Sequence, residues 1–336
     1  MRALITGGAG FVGANLASYL AERDHQVVVF DNLQRRGSQA NVAWLRERHG
    51  SRVTVMEGDV RDAEAVRRAM RRADIVYHLA AQVAVTTSVE RPVDDFEINA
   101  RGTLNVLEAA RAEGSRVVFT STNKVYGAME DVRVVELDRR YDYVNLPQGV
   151  DEERPLDFHS PYGCSKGAAD QYVRDYARIY GVPTMVFRMS CIYGVRQFGT
   201  EDQGWVAHFI ISAARGRPLT IYGDGKQVRD ILYIEDLLRV FERAAERIDT
   251  LPGRIYNIGG GRSNAISLLD LIAWLGELRG EPVPYRFGPW RPGDQRVYYS
   301  DIGRARTELG WEPRVSAREG VERLYRWVMS NLPIFE

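Results

Sequence analysis

Short apolar runs alternate with longer amphipathic stretches through the first half of the chain. The apolar runs predict buried strands, and the stretches between them repeat apolar residues at helical spacing. Such alternation is typical of a parallel sheet covered by helices on both faces, because parallel neighbours need a crossover connection. The predicted strands are residues 3–6, 27–30, 53–57, 75–79 and 117–120, with helices near 11–23, 38–49, 62–72 and 92–113.

The alternation continues through a helix near 161–180 and a strand at 183–188, and then it breaks. Residues 189–230 carry glycine and polar clusters, and the elements beyond them follow a different order. No linker of low complexity and no repeat separates the two parts, so we expect a second domain that is interleaved with the first. Beyond residue 189 we predict helices near 205–215, 235–246, 266–278 and 316–330, and strands at 219–222 and 254–258.

Composition agrees with two folded domains and excludes several classes of protein. The chain has 336 residues, and about 150 residues per domain suggests two domains. A hydrophobic content of 45% with 27% charged residues excludes wholesale disorder. Lys+Arg 45 against Asp+Glu 45 gives a net charge of zero, so no basic excess indicates a nucleic-acid partner.

Neither a metal centre nor a membrane segment is expected. The two cysteines, Cys164 and Cys191, are too few for a metal cluster, and we do not expect them to form a disulfide framework. No apolar run approaches the ~20 residues that span a bilayer. The first residues predict a strand rather than a secretory signal, so we expect a cytoplasmic protein.

A glycine-rich segment follows the first predicted strand and opens the first helix. Glycine permits a tight turn and a close approach to a pyrophosphate, and the helix N-terminus offers free N–H groups. A simple glycine-rich turn is the alternative, but the strand–turn–helix context favours a dinucleotide site. The candidate cofactor residues here are Gly7, Gly10, Phe11, Val12 and Gly13.

An acidic residue closes the second strand, 18 positions after Gly13. The carboxylate of Asp31 can accept hydrogen bonds from both ribose hydroxyls of NAD and would repel a 2′-phosphate. A plain turn residue is the alternative, and Arg35 and Arg36 nearby keep NADP open. We predict NAD, with Arg36 among the residues around it. At the carboxyl edge of the sheet the further candidates are Asp59, Val60, Leu79, Ala80, Ala81 and Gln82.

Tyr162 and Lys166 are four residues apart at the start of a predicted helix, so their side chains share one face. A phenol titrates near 10 in water, and a cation one turn away favours its ionised form. Thr122, at the end of the fifth strand, can share the proton. This spacing is a common accident on helices, but Lys166 is one of only three lysines in the chain and follows a dinucleotide-binding pattern. We predict that Thr122, Tyr162 and Lys166 are catalytic, and that Tyr162 and Lys166 also contact the cofactor, with the Lys166 ammonium serving the ribose and the phenol together.

The motifs together resemble those of the extended short-chain dehydrogenases/reductases of the nucleotide-sugar epimerase and dehydratase group. The similarity extends from residue 1 to about 327 and includes the glycine loop, Asp31-Asn32, Val-Tyr-Gly at 125–127, Tyr162/Lys166 and Gln-Val-Arg-Asp at 227–230. It implies an α/β fold, a Rossmann-type doubly wound parallel sheet with a smaller, mostly helical substrate domain. We expect residues 1–188 with 228–262 to form the NAD domain and 189–227 with 263–336 the nucleotide-sugar domain.

The resemblance also implies roles for residues outside these motifs. Asn32 and Asn99 would serve the cofactor, Asn99 either by contact or by bracing the sheet edge. Arg229 and Arg291 would grip phosphate or ribose oxygens, with surface ion pairs as the alternative. Members of this group often pair through the helices that include the Tyr162 helix, so a homo-oligomer, dimer or tetramer, is expected.

Two adjacent positions, 123 and 124, separate the branches of the group. Dehydratases carry an acidic pair before Val-Tyr-Gly, whereas this chain has Asn123-Lys124, which disfavours dehydration. Segments 156–172, 196–198 and 202–206 resemble the branch that inverts CDP-sugars at C2, and Thr122, Asn123 and Gln203 would bind that substrate. Cys191 stands where many relatives carry an asparagine at the substrate diphosphate. A UDP-sugar 4-epimerase and a non-catalytic NAD-sensing protein remain alternatives.

Overall fold

The structure is a computed structural model, and it describes residues 1–291 and 295–335. Its strands are β1 Arg2–Thr6, β2 Gln26–Asp31, β3 Val53–Glu57, β4 Ile75–His78, β5 Arg116–Thr122, β6 Val134–Glu136, β7 Tyr141–Tyr143, β8 Thr184–Met189, β9 Cys191–Tyr193, β10 Leu219–Tyr222, β11 Val228–Tyr233, β12 Arg254–Ile258, β13 Ala265–Ser267, β14 Tyr285–Gly288 and β15 Val297–Tyr298. Its α-helices are α1 Phe11–Ala21, α2 Ser38–His49, α3 Ala63–Met70, α4 Val85–Glu90, α5 Pro92–Phe96, α6 Gly102–Glu113, α7 Ser160–Tyr180, α8 Trp205–Ala214, α9 Ile234–Arg247, α10 Leu268–Arg279, α11 Gly303–Leu309 and α12 Ala317–Ser330.

A seven-stranded parallel sheet in the order β12-β8-β5-β4-β1-β2-β3 confirms the predicted doubly wound α/β fold. Strand order reverses beside β1, because the chain first builds outward through β2 and β3 and then crosses back to β4. The crevice at such a reversal is where dinucleotides bind in this type of fold. Apart from the edge strand β3, its strands are buried on both faces, which explains why they read as continuous apolar runs.

The registers of the central strands bring their carboxyl ends to one edge. Thr6 of β1 lies beside Phe30 of β2 on one side and His78 of β4 on the other. The segments that follow these three strands therefore emerge together. They contain most of the predicted cofactor residues.

The helix predicted at 92–113 is interrupted. The chain forms α5, then a π-helical turn over Glu97–Arg101, and then α6. A π turn inserts one extra residue and often marks a functional site. Periodicity misses it because one added residue leaves the apolar pattern nearly unchanged. The short elements α4, β6, β7, β9, β13 and β15 were also missed, since runs of two to six residues carry too little pattern.

The described chain divides into two compact units. The first comprises Met1–Val125, Phe158–Arg188 and Leu238–Tyr256, and the second comprises Tyr126–Asp157, Met189–Leu237 and the described residues from Asn257 onward. The second unit thus takes in residues 126–157, 228–237 and 257–262, which the sequence analysis assigned to the NAD domain.

Strand pairing explains this difference from the expected boundaries. β11 pairs with β9, β13 and β15 rather than joining the large sheet. The second unit contains α8, α10, α11 and α12 together with short strands. Within residues 1–291 and 295–335, no helix is both long and apolar enough to cross a membrane.

Candidate active site

The glycine loop is packed so closely that only glycine fits at two positions. Gly7 has φ +68°, and a Cβ there would lie 2.7 Å from the Ala80 nitrogen. A Cβ on Gly13 would lie 2.4 Å from the Gly7 carbonyl oxygen. At Gly10, the residue before α1, a Cβ would meet only that same oxygen, at 3.2 Å. The loop is therefore tightly packed against the protein backbone at Gly7 and Gly13 and has more space around Gly10. This arrangement fits a pyrophosphate at the helix N-terminus.

Phe11 and Val12 lie in the first turn of α1, where backbone N–H groups have no partner within a helix. Asp31 braces the loop beside them. Its carboxylate accepts hydrogen bonds from the Ala9 nitrogen at 3.0 Å and the Leu33 nitrogen at 2.8 Å. Burial raises the pKa of Asp31, while these hydrogen bonds and the charge of Arg35 lower it.

Asn41 of α2 completes the brace, because its amide donates to the Ala9 carbonyl oxygen at 3.1 Å. The sequence analysis missed this residue, since a lone asparagine inside a helical pattern gives no signal. Arg36 is exposed.

The predicted residues at the next strand ends divide into polar contacts and packing. Asn32 donates to the Asp59 carboxylate at 3.1 Å, and Arg61 also binds that carboxylate, which lowers the pKa of Asp59 to about 2. Val60 is buried in the core beside Gly102, so it positions the edge by packing.

The segment after β4 turns back over the glycine loop. The Leu79 nitrogen donates to the Thr6 carbonyl oxygen at 3.1 Å, and the Ala80 nitrogen to the Thr6 hydroxyl at 3.3 Å. Ala81 continues the segment, partly buried. The predicted residues 79–82 thus follow the loop at the sheet edge.

Asn99 in the π turn braces the same edge. Its side-chain oxygen accepts a hydrogen bond from the Gln82 backbone nitrogen at 2.9 Å, and its side-chain amide donates to the Gln82 backbone carbonyl oxygen at 3.0 Å. The same amide contacts the Ser165 hydroxyl at 3.1 Å. The resemblance implied that Asn99 either contacts the cofactor or braces the sheet edge, and these hydrogen bonds are those of a residue that braces the edge.

Tyr162 and Lys166 lie on the first turns of α7, both buried. The Lys166 ammonium donates to the Thr120 carbonyl oxygen at 2.7 Å and lies 4.1 Å above the Phe119 ring centre. Burial lowers the pKa of Lys166 to about 7, against the charges of Asp170 and Asp95, which raise it.

Burial raises the pKa of the Tyr162 phenol above its ordinary value, and a hydrogen bond with Thr122, at the end of β5, offsets part of that rise. Nearby charges also act on this pKa, with Asp95 raising it and Arg35 lowering it. The structure therefore brings the three predicted catalytic residues together. Asn123 follows Thr122 directly and accepts a hydrogen bond from its hydroxyl at 3.4 Å.

The start of α7 is fixed by local chemistry. Pro161 occupies the first turn, where its missing N–H costs nothing. The Tyr162 nitrogen donates to the Ser88 hydroxyl of α4 at 3.2 Å. Ser88 was missed by the sequence analysis because α4 itself was missed.

The predicted substrate residues Gln203, Arg229 and Arg291 belong to the second unit. Arg229, at the start of β11, is buried and donates to the carbonyl oxygens of Val228 at 2.7 Å and Gln295 at 2.6 Å. Gln203 closes a tight turn whose other end is Thr200. The remainder of the Arg-Pro-Gly-Asp motif, residues 292–294, lies outside the described residues.

Arg291 is partly exposed. It lies 4.1 Å above the Tyr222 ring centre, 3.2 Å from the Glu201 carbonyl oxygen and 3.5 Å from the Asp202 carboxylate. Side-chain clusters that could hold a metal ion are absent from residues 1–291 and 295–335.

Comparison with known proteins matches this architecture. A profile described as the NAD dependent epimerase/dehydratase family matches residues 3–259. The chain belongs to this family. The family resemblance inferred from the sequence is thereby confirmed, and so is the expectation of an NAD-dependent enzyme.

Two proteins of this family illustrate the similarity. The chain is 45% identical to CDP-paratose 2-epimerase of Salmonella typhi over 339 residues, covering 98% of this chain and 100% of that protein. It superposes on UDP-glucuronic acid 4-epimerase from Bacillus cereus, solved with UDP-glucuronic acid and NAD. The TM-score is 0.85 at 28% identity, covering 99% of this chain and 100% of that one.

A third similar protein is UDP-glucose 4-epimerase of Thermotoga maritima, solved with UDP-glucose. The TM-score is 0.82 at 32% identity, and the match covers 99% of this chain and 100% of that one. The family member described here is an enzyme of the isomerase class, similar to CDP-paratose 2-epimerase.

Proposed function

We propose that the enzyme epimerises a CDP-sugar at C2, converting CDP-paratose to CDP-tyvelose. The observation that carries this proposal is the 45% identity to CDP-paratose 2-epimerase along the whole of both chains. The intact set of Thr122, Tyr162 and Lys166 supports it. The absence of a carboxylate at Asn123 and Lys124 supports inversion over dehydration.

The residues around the glycine loop fit NAD. The open side of Gly10, the buried Asp31 carboxylate and the braced segment at 79–82 would hold its pyrophosphate, ribose and nicotinamide ends. Asp31 favours the unphosphorylated ribose of NAD over NADP. When bound, the nicotinamide supplies an acceptor and donor of hydride.

The chain's own residues handle the hydroxyl proton of the sugar. Tyr162 takes that proton as the base and returns it in the second half of the reaction. Thr122 shares a hydrogen bond with the phenol and can orient the sugar oxygen. The Lys166 ammonium, one turn along α7, would stabilise the ionised phenol. Because a single base serves both half-reactions, inversion requires the sugar to turn over between them.

We assign nucleotide-sugar binding to Asn123, Gln203 and Arg291, whereas Arg229, which the resemblance also implied, is buried and donates to backbone carbonyl oxygens. Guanidinium groups suit paired phosphate oxygens, and Arg291 is the accessible one of the two arginines. A homo-oligomer is part of the proposal. Apolar side chains exposed on α4, α5 and α7 support it, namely Val89, Val93, Phe96, Tyr172, Ile179 and Tyr180.

Turnover in deuterated water tests both substrate and mechanism. CDP-paratose should be converted to CDP-tyvelose with no deuterium at C2, because the residues exchange only the hydroxyl proton with solvent. Substrate labelled with deuterium at C2 should keep its label. Solvent deuterium at C2 would overturn the mechanism.

A UDP-sugar 4-epimerase is the second candidate, favoured by the match to the Thermotoga maritima enzyme. It needs the same residues and a differently placed sugar. Turnover of UDP-glucose with none of CDP-paratose would select it. Measurable epimerisation of either substrate would exclude a purely NAD-sensing role.

A further inference from the structure

Asp95 is a fully buried carboxylate that the mechanism above does not use. It lies on α5, one helical turn before Asn99. One carboxylate oxygen accepts from the Asn99 amide at 3.1 Å, and the other accepts a short hydrogen bond from the Ser165 hydroxyl. Ser165 lies between Tyr162 and Lys166 on α7. The carboxylate thus ties the π turn to the catalytic helix.

The hydrogen bonds of Asp95 come from neutral donors. Burial raises the pKa of Asp95, while the Ser165 hydroxyl and the charge of Lys166 lower it and so favour the carboxylate. Asp170, the other buried carboxylate near Lys166, is different. The Arg188 guanidinium binds both of its oxygens at 3.0 Å, and the Ser121 hydroxyl donates to it at 2.7 Å. The bidentate Arg188 guanidinium offsets the charge of Asp170 locally. Within residues 1–291 and 295–335, Asp95 forms no comparable ion pair with an arginine.

Titratable groups on three elements act electrostatically on Lys166. Asp95 faces it from α5, Asp170 from α7 and His78 from β4. Burial lowers the pKa of His78 to about 3, so this imidazole is neutral at physiological pH. Its ring nitrogens lie 2.7 Å from the Thr6 hydroxyl and 2.9 Å from the Thr103 hydroxyl. The two carboxylates are therefore the anions that favour a charged Lys166.

We propose that Asp95 is a positioning residue that fixes α7 through Ser165 and Asn99 and supplies a buried negative charge that keeps Lys166 an ammonium ion. The inference rests on the proposed role of Lys166 beside the Tyr162 base. An ammonium is needed there, because a neutral amine would not stabilise a phenolate. Asp95 performs this role without touching a reacting atom.

The substitution Asp95→Asn removes the charge and keeps the shape. The Ser165 hydroxyl can donate to or accept from the new amide, so the hydrogen bonds can be re-formed. Loss of the anion should lower the pKa of Lys166. It should also lower the pKa of Tyr162, because Asp95 raises both.

Titration of Lys166 measures the charge effect directly. The chain contains only Lys124, Lys166 and Lys226, so lysine labelled at Cε gives few NMR signals. The signal lost in Lys166→Met belongs to Lys166. In the full-length NAD-loaded enzyme, Asp95→Asn should move its midpoint down by on the order of one pH unit, the effect of one charge at several ångströms. An unchanged midpoint would overturn the proposal.

Ser165→Ala is the matched control, since it removes a hydrogen bond and keeps the carboxylate. Its Lys166 midpoint should stay close to that of the unchanged enzyme. If Asp95→Asn does not fold, the Lys166 midpoint is measured in Asp95→Glu instead. The charge is retained, so a lowered Lys166 midpoint in that variant would contradict the proposal.

The pH dependence of kcat/KM gives a second readout. In Asp95→Asn both limbs of the profile should move towards lower pH, because the base and the ammonium both titrate lower. A purely structural role would reduce the height of the profile without moving it. The lysine titration needs no substrate, so it remains decisive even if the enzyme proves to act on a different nucleotide sugar.

Discussion

The two units hold their functional residues in different ways. In the first unit the candidate residues lie at the ends of parallel strands and on one face of α7, and most are buried and hydrogen-bonded. In the second unit Gln203 closes a turn and Arg291 lies beyond the end of β14. Regular elements generally fix the geometry of shared chemistry, whereas loops vary with the ligand, and the residues proposed for catalysis and for substrate binding follow this division.

The two arginines of the second unit repeat this contrast on a smaller scale. Arg229 is buried and donates to two backbone carbonyl oxygens, whereas Arg291 is partly exposed and contacts the Glu201–Asp202 turn. The first arrangement stabilises the unit itself. The second leaves a cation that can exchange its partners for a ligand.

The strongest test of the catalytic face is Tyr162→Phe. Turnover should fall by roughly 10²–10⁴, the contribution of a positioned base, because only the proton-accepting oxygen is removed. NAD content of the purified variant should be unchanged. Tyr172→Phe on the exposed side of α7 is the control and should turn over normally. Near-normal turnover in Tyr162→Phe would refute the base assignment.

The glycine loop offers a paired test of packing against binding. Gly13→Ala forces a Cβ against Gly7, and overpacking of this kind costs about 1–3 kcal/mol of unfolding free energy. Gly10→Ala adds a Cβ that meets only the Gly7 carbonyl oxygen within the protein, at 3.2 Å, on the side of the loop proposed for the cofactor. It should lower NAD affinity and leave the unfolding free energy nearly unchanged. Equal effects of both variants in denaturant unfolding and NAD titration would contradict this distinction.

The arginine contrast predicts a smaller, separable effect. Arg291→Ala should raise KM for the nucleotide sugar about tenfold, the loss of one charge-assisted hydrogen bond, with little change in kcat. Arg229→Ala should instead lower the unfolding free energy by about 1–3 kcal/mol, because it leaves buried carbonyl oxygens without this donor. Steady-state kinetics and denaturant unfolding of both variants separate the roles. A raised KM in Arg229→Ala together with a lowered unfolding free energy in Arg291→Ala would contradict both assignments.

Most of the large sheet could be predicted from the sequence, because each buried strand reads as an apolar run bounded by turn residues. The glycine loop, Asp31, and the pairing of Tyr162 with Lys166 were also predictable, since each depends on spacing within one or two elements. Asn41, Ser88 and Asp95 were not. Their roles arise from tertiary contacts between elements distant in sequence, which no local pattern encodes.

The unit boundaries were hard to predict for a related reason. β11 is buried along its whole length, as a strand of the large sheet would be, but its partners are β9, β13 and β15. Strand partners are chosen by tertiary packing rather than by composition. Residues 126–157 likewise gave little signal, because β6 and β7 have only three residues each.

β12 has a consequence for how the chain is made. This edge strand of the large sheet comprises Arg254–Ile258, so a ribosome must synthesise and release the chain through residue 258 before the sheet can be completed. Until then the flank of β8 is an unsatisfied template for pairing with other nascent chains. The pairing of residues so far apart also slows folding. Early truncations should therefore aggregate rather than persist as a working NAD domain.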